Sequence, residues 1–194
     1  IEGMVLYFGN RAQLKDAAGE KTIGDPVEAK IEKVVENIQK RYNGVTLATD
    51  GSLYDFIITV GNSAQYYLNL MIPANTQIID TFPAGCEVGR IVVYGDIGTR
   101  NFKDYDAMKQ PESDHLAYFT HSTSGNKLTI TLKQPAKPGL AFVISLKVTG
   151  DVGGSITNKA QVVIPGATKV PPTDEAKVEN TTMSKTGYDI DYVN

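Results

Sequence analysis

The residues able to do chemistry in this sequence are polar side chains set in otherwise apolar rows. The clearest is Asn158. The stretch Ser155 to Ile164 alternates as a strand does, so Ile156, Asn158, Ala160, Val162 and Ile164 share one face. That face is the core face, where a carboxamide costs free energy unless another group satisfies it. The run 76–82 sets Asp80 between Ile78 and Phe82 in the same way, and the run 27–38, read as a strand, sets Lys33 in line with Ala29, Ile31 and Val35. Burial disfavours the charged form of both groups, pushing a lysine toward its free, nucleophilic amine and an aspartate toward its protonated acid. Each position alone also has a purely structural explanation. Asn158 can cap a bend, Asp80 can accept backbone bonds near the Pro83 turn, and Lys33 can snorkel from an edge strand. Their combination makes them a candidate site.

The elements that must position these residues are short strands. Residues 4–14 have strand composition and 15–26 read as a linker. Tyr54, Phe56, Ile58 and Val60 alternate clearly, 90–94 form a further strand, and 127–133 and 140–149 alternate with Leu128, Ile130, Leu132, Leu140, Phe142, Ile144, Leu146 and Val148 inward. Asn43-Gly44, Asp50-Gly51 and Pro83-Ala84-Gly85 read as turns. The polar stretch 95–126 reads as one long surface insertion. With no convincing long helix, the pattern predicts an all-β sandwich with a long polar insertion.

Residues 27–166 are expected to form the domain, with 1–26 a flanking strand and linker that could end a preceding domain, and 167–194 a C-terminal extension or the start of a following segment. A weak internal echo supports this. Gly9-Asn10-Arg11-Ala12-Gln13-Leu14, a linker and Glu28-Ala29-Lys30-Ile31-Glu32 resemble Thr157-Asn158-Lys159-Ala160-Gln161-Val162, a linker and Glu175-Ala176-Lys177-Val178-Glu179. Such an echo is expected of a piece of a tandem array, although Asn180 stands where Lys33 would be.

Composition excludes several classes. The 194 residues are 41% hydrophobic, enough for one ample domain. A net charge of −3 provides no basic patch for nucleic acid, and no apolar run reaches the roughly 18 residues of a membrane span. The lone Cys86 rules out an internal disulfide framework and reads as a buried small hydrophobe. His115 and His121 lack ligand-like spacing, the acids at 104–114 lack the spacing of a calcium loop, and no phosphate loop or nucleophile elbow is present, so no metal or cofactor is expected.

Four segments in order, Tyr54 to Asn62, Ile79-Asp80-Thr81-Phe82-Pro83-Ala84-Gly85, Lys127-Leu128-Thr129-Ile130 and Ile156-Thr157-Asn158-Lys159-Ala160, together resemble the signatures of isopeptide-forming Ig-like domains of Gram-positive pilins and adhesins, over about residues 27–166. The mid-chain aspartate is similar to the collagen-adhesin A-type variant. The resemblance implies an Ig-like β-sandwich in which a first-strand lysine joins a last-strand asparagine through a spontaneous amide bond assisted by a buried acid. Mapped by motif, these are Lys33, Asn158 and Asp80, with Lys30 a rival for the lysine if strand parity shifts by one. The acid, held neutral, would polarise the asparagine carbonyl while the amine attacks. The reaction occurs once per molecule, which is maturation and not enzymatic turnover.

The resemblance further implies a stalk or shaft module of an extracellular, cell-wall-anchored structure, whose partners are neighbouring domains or pilin subunits. The alternative is a receptor-binding adhesin domain that recognises a host matrix protein or glycan through the 95–126 insertion or the Tyr66-Tyr67 region.

Overall fold

A computed structural model of the chain describes residues 5–15, 22–34, 38–48, 51–167 and 170–179. Its strands are β1 (Val5–Lys15), β2 (Thr22–Val34), β3 (Ile38–Ala48), β4 (Gly51–Val60), β5 (Gln77–Thr81), β6 (Cys86–Ile97), β7 (Arg100–Asp106), β8 (Phe119–Ser124), β9 (Lys127–Leu132), β10 (Leu140–Val148), β11 (Ser155–Val163) and β12 (Thr173–Glu179). Among the described residues there is one short α-helix, α1 (Ser63–Tyr67), held by a capping box between Asn62 and Gln65.

Two five-stranded sheets form the sandwich, ordered β3-β4-β10-β6-β7 and β12-β11-β5-β9-β8, with antiparallel pairing throughout. Alternation decides which faces meet. Phe56 and Ile58 of β4, Ile91 and Val93 of β6, and Phe142 and Ile144 of β10 face Ile78 of β5, Leu128 and Ile130 of β9, and Ile156 and Val162 of β11 in one buried cluster. Burying a side chain of this size contributes about 1.5–3 kcal/mol, so this face dominates the stability of the fold.

The central strand β10 is buried on both faces. Phe142, Ile144 and Leu146 enter the core, while Ser145 is fully buried on the outer side. There the Asp55 carboxylate accepts hydrogen bonds from Ser145 Oγ at 2.5 Å, Thr46 Oγ1 at 2.6 Å and Arg90 Nη2 at 3.4 Å. Asp55 has the parity expected for an outward residue of β4, yet it is buried, because these three partners cover it.

Two expectations about elements need correction. The stretch 95–126 is not a single loop: it completes β6, forms β7 on one sheet and β8 on the other, and joins them through a short 3-10 turn at Glu112–Asp114. Both are edge strands, and in β7 only Phe102 is buried, so the apolar alternation that marks a core strand is missing. The connection is tied down instead by stacking. The Arg100 guanidinium lies 4.5 Å from the Phe102 ring centre and 4.9 Å from that of Tyr105, and His115 stacks on Phe119 with ring centres 4.7 Å apart.

The second correction concerns the first strand of the sandwich. The segment around Lys33 is extended as expected, but as β2 it pairs with β1 in a separate two-stranded sheet. The sandwich begins with β3, and Asn43-Gly44 lies within that strand, not at a turn. The register shifts between Tyr42 and Gly44, and Gly44 takes φ +105°, the positive φ that a bulge residue adopts most easily without a Cβ.

Gly85, after β5, combines two constraints. Its φ is +86°, and a Cβ there would lie 2.7 Å from the Asp151 carbonyl oxygen. Gly85→Ala is expected to lower unfolding free energy by about 1–3 kcal/mol in urea titrations, from the left-handed conformation together with the clash. Gly125→Ala, at φ +58° with no atom within 4 Å of the new methyl, should lose less.

Candidate functional site

The site is assembled by strand parity and by the meeting of two sheets at one edge. Along β11 the burial alternates, so Ile156, Asn158, Ala160 and Val162 face inward. On β5 the same alternation buries Ile78 and Asp80. The two strands are neighbours with Ala160 paired to Asp80, which sets Asn158 on the adjacent diagonal of the same face, within reach of a side-chain contact.

The third member comes from the opposite sheet. Along β3, Gln39 and Arg41 are exposed while Lys40, between them, is buried. Strand β3 is the edge of its sheet and packs against β12 and β11, so Lys40 crosses the gap between the sheets. The strand is held there by its backbone, since the Lys40 N–H donates to Asp174 Oδ2 on β12 at 2.7 Å.

These three side chains meet at the Asp80 carboxyl. Lys40 Nζ donates to Asp80 Oδ1, and Asn158 Nδ2 donates to Asp80 Oδ2 at 3.1 Å. All three residues are buried, and Lys40 Nζ lies 5.6 Å from the centre of the Phe56 ring. Asn158 Oδ1 is buried with no hydrogen-bond partner among the described residues.

Burial dominates the electrostatics. It pushes the Lys40 amine below its ordinary value, against the opposing pull of Asp80, and it pushes the Asp80 carboxyl up, against Lys40 and the Asn158 hydrogen bond. Both shifts favour the neutral pair, an amine beside a carboxylic acid.

The structure thus joins Asp80 and Asn158 and brings Lys40 to them, while the side chains of the expected Lys33 and its rival Lys30 lie outside the described residues. Lys33 and Lys30 lie on β2, opposite Leu6 and Gly9 of β1. Sequence reasoning passed over Lys40 because Gln39-Lys40-Arg41 reads as a polar approach to a turn at Asn43-Gly44. A usable signal was present in the alternation Ile38, Lys40, Tyr42, which puts the lysine in line with two large apolar groups.

One further difference concerns the acid. The expected contact is to the asparagine oxygen, whereas the carboxyl meets the amide nitrogen and leaves the oxygen unpaired. Turning the carboxamide over would exchange the two contacts.

Other polar groups stand apart from this site. Burial pushes the Cys86 thiol up, away from a reactive thiolate. Tyr105 Oη and His115 Nδ1 are 3.1 Å apart, and among the described residues no cluster of three or more His, Cys, Asp or Glu could hold a metal.

A lysine-free site makes a testable case. In Lys40→Met the Asp80 carboxyl loses its amine neighbour but keeps the burial that holds it above its ordinary 3.8. The folded chain then retains a proton that the unfolded chain releases. Stability should therefore be greatest in acid and fall as pH rises from that ordinary value toward the raised one, by at most about 1.4 kcal/mol per pH unit. Denaturant unfolding across pH measures this. Lys40→Met combined with Asp80→Asn should remove that component, and equal pH profiles for the two variants would refute the assignment.

No protein-family model matches the sequence, and no curated protein is detectably similar to it. Solved structures are similar in fold. The collagen adhesin of Staphylococcus aureus superposes with a TM-score of 0.50 at 11% identity, over 87% of this chain and 58% of that one. The collagen-binding domain from a Staphylococcus aureus adhesin gives 0.47 at 13% identity, over 76% and 99%. The major pilin subunit of Bacillus cereus gives 0.44 at 16% identity, over 88% and 47%. With its two antiparallel sheets, the chain shares the Ig-like β-sandwich fold of the Staphylococcus aureus collagen adhesin.

Proposed function

We propose that this chain is a structural module of a bacterial surface adhesin or pilus, stabilised by an autocatalytic amide bond between Lys40 and Asn158. The observation that carries the reading is the Asp80 carboxyl bridging a buried amine and a buried carboxamide. The free amine attacks Asn158 Cγ, a Cγ–Nζ bond forms, the Cγ–Nδ2 bond breaks and ammonia leaves. Asp80 sits to move the proton, taking it from Nζ at one oxygen and supplying one to the departing nitrogen from the other. Burial pushes the amine and the acid toward their neutral forms, the protonation states this exchange requires.

The bond would tie β3 of one sheet to β11 of the other and close a loop of about 120 residues, worth roughly 5 kcal/mol by analogy with disulfide loop entropy. Reducing conditions would not open it. A link between the first and last core strands carries tension across the sandwich, the load a cell-wall-anchored stalk bears outside the cell.

Intact mass tests the reading. The purified chain should weigh about 17 Da less than its sequence, the mass of one ammonia. Lys40→Ala, Asn158→Ala and Asp80→Ala should each restore the sequence mass, while Lys33→Ala should keep the deficit. A wild-type mass equal to that of the sequence refutes the crosslink.

A second reading, recognition of a host matrix protein or glycan, is favoured by a groove of about 420 Å³ on the outer face of the β3-β4-β10-β6-β7 sheet. Tyr94, Arg90, Asp104, Asp106, Lys109 and Gln110 line it, mixing an aromatic ring with both signs of charge. Immobilised collagen is the first probe, because that neighbouring fold belongs to a collagen adhesin. If the groove binds it, Tyr94→Ala and Lys109→Ala should each weaken retention about tenfold or more and leave the mass deficit intact.

A further inference from the structure

The β1–β2 hairpin repeats the β11–β12 hairpin in pairing as well as in sequence. In the C-terminal hairpin Asn158 lies opposite Ala176, with Ile156 opposite Val178, Thr157 opposite Lys177 and Lys159 opposite Glu175. In the N-terminal hairpin Asn10 lies opposite Ala29, with Phe8 opposite Ile31, Gly9 opposite Lys30 and Arg11 opposite Glu28. Within this four-pair core only Thr157 against Gly9 changes character; outside it Ser155 and Asp174 stand where the N-terminal hairpin has Tyr7 and Val27, and the β1–β2 register shifts after Ala12. The sequence echo alone is short and could be chance. A shared cross-strand register is an independent constraint, because a slip of one residue would move each side chain to the other face and destroy the match.

The hairpin also lacks what its counterpart has. Strand β11 is paired on both edges, with β12 on one and the Asp80 strand β5 on the other. Among the described residues strand β1 pairs with β2 alone, and no strand lies on its second edge, where a strand like β5 would lie. By alternation and pairing, Leu6, Phe8, Asn10, Ala12, Ala29 and Ile31 share one face of this ribbon, an apolar row with an embedded asparagine like the one β11 presents to the sandwich core. A two-stranded ribbon is marginally stable by itself, and such a face must be covered. The lysine on that face, Lys33, is opposite Leu6, four residues along β1 from Asn10 and roughly 13 Å away at about 3.3 Å per residue, too far to be its partner within the hairpin.

We infer that β1 and β2 are the closing hairpin of a second sandwich, built like this one and N-terminal to it, and that Asn10 is a crosslinking asparagine joined to a lysine of that unit. This rests on the Lys40–Asn158 reading. The chemistry is the same: the lysine amine displaces ammonia from the Asn10 carboxamide, forming one amide and releasing one NH3. With Lys40 as the reacting lysine, the mismatch between Lys33 and Asn180 concerns no reacting residue.

The test is a tryptic peptide map of the native polypeptide, isolated with the sequence N-terminal to Ile1 in place. The peptide ending at Arg11 should be found joined to a lysine peptide from outside residues 1–194, about 17 Da below the sum of the two. Asn10→Ala in that polypeptide should abolish this species and leave the Lys40–Asn158 link. Recovery of a linear Asn10 peptide alongside a linked Asn158 overturns this inference alone. Linear peptides at both positions overturn the crosslink reading and this inference with it. An Asn10 link to a lysine within residues 1–194 overturns the assignment to a second unit.

Discussion

A carboxyl group buried between two sheets constrains this molecule more than any other polar contact. Asp80 has no access to water, so its oxygens require partners from the protein, and the two it has come from distant parts of the chain. Lys40 reaches it from the edge strand of one sheet and Asn158 from the neighbouring strand of its own. Removing one partner of a buried ionisable pair leaves the other uncompensated, typically at a cost of several kcal/mol. The position of β3 against β12 and β11 is therefore coupled to polar satisfaction at the site, and the Asp174 contact to the Lys40 backbone reinforces it.

Two buried aspartates, on opposite faces of the β4 sheet, sit in contrasting environments. Asp55 is met by two hydroxyls and an arginine at the margin of an open groove, and these donors stabilise it as an acceptor. Asp80 faces an amine and a carboxamide inside the core, and desolvation is the largest influence on it. The first arrangement ties β3, β4, β10 and β6 together. The second sets an amine and a carboxamide against the two oxygens of one buried carboxyl, the groups that the proposed amide exchange would use.

Much of the sandwich was legible because alternation is strong where one face is buried. Phe56, Ile58 and Val60, Leu128, Ile130 and Leu132, and Phe142, Ile144 and Leu146 all enter the core as their spacing predicts. The inward settings of Asp80 and Asn158 follow from the same rule. Strands β7 and β8 were illegible for the converse reason: as edge strands each fully buries a single side chain, Phe102 in β7 and Phe119 in β8. Lys40 was missed because Asn43-Gly44, ordinarily a turn signal, marks a bulge inside β3 and made the strand look interrupted.

By itself the sequence determined the parity of each core strand, and with it which polar residues turn inward, because side-chain direction in a strand depends only on position along the chain. It also carried the short echo between its two ends, since recurrence requires no coordinates. Which lysine meets the acid was decided only by tertiary structure. Lys33 and Lys40 both lie on strands with apolar neighbours, and local pattern cannot tell a strand that joins the sandwich from one that pairs in a separate ribbon. That choice depends on which edges are already occupied, a property of the assembled sheets that no single segment contains.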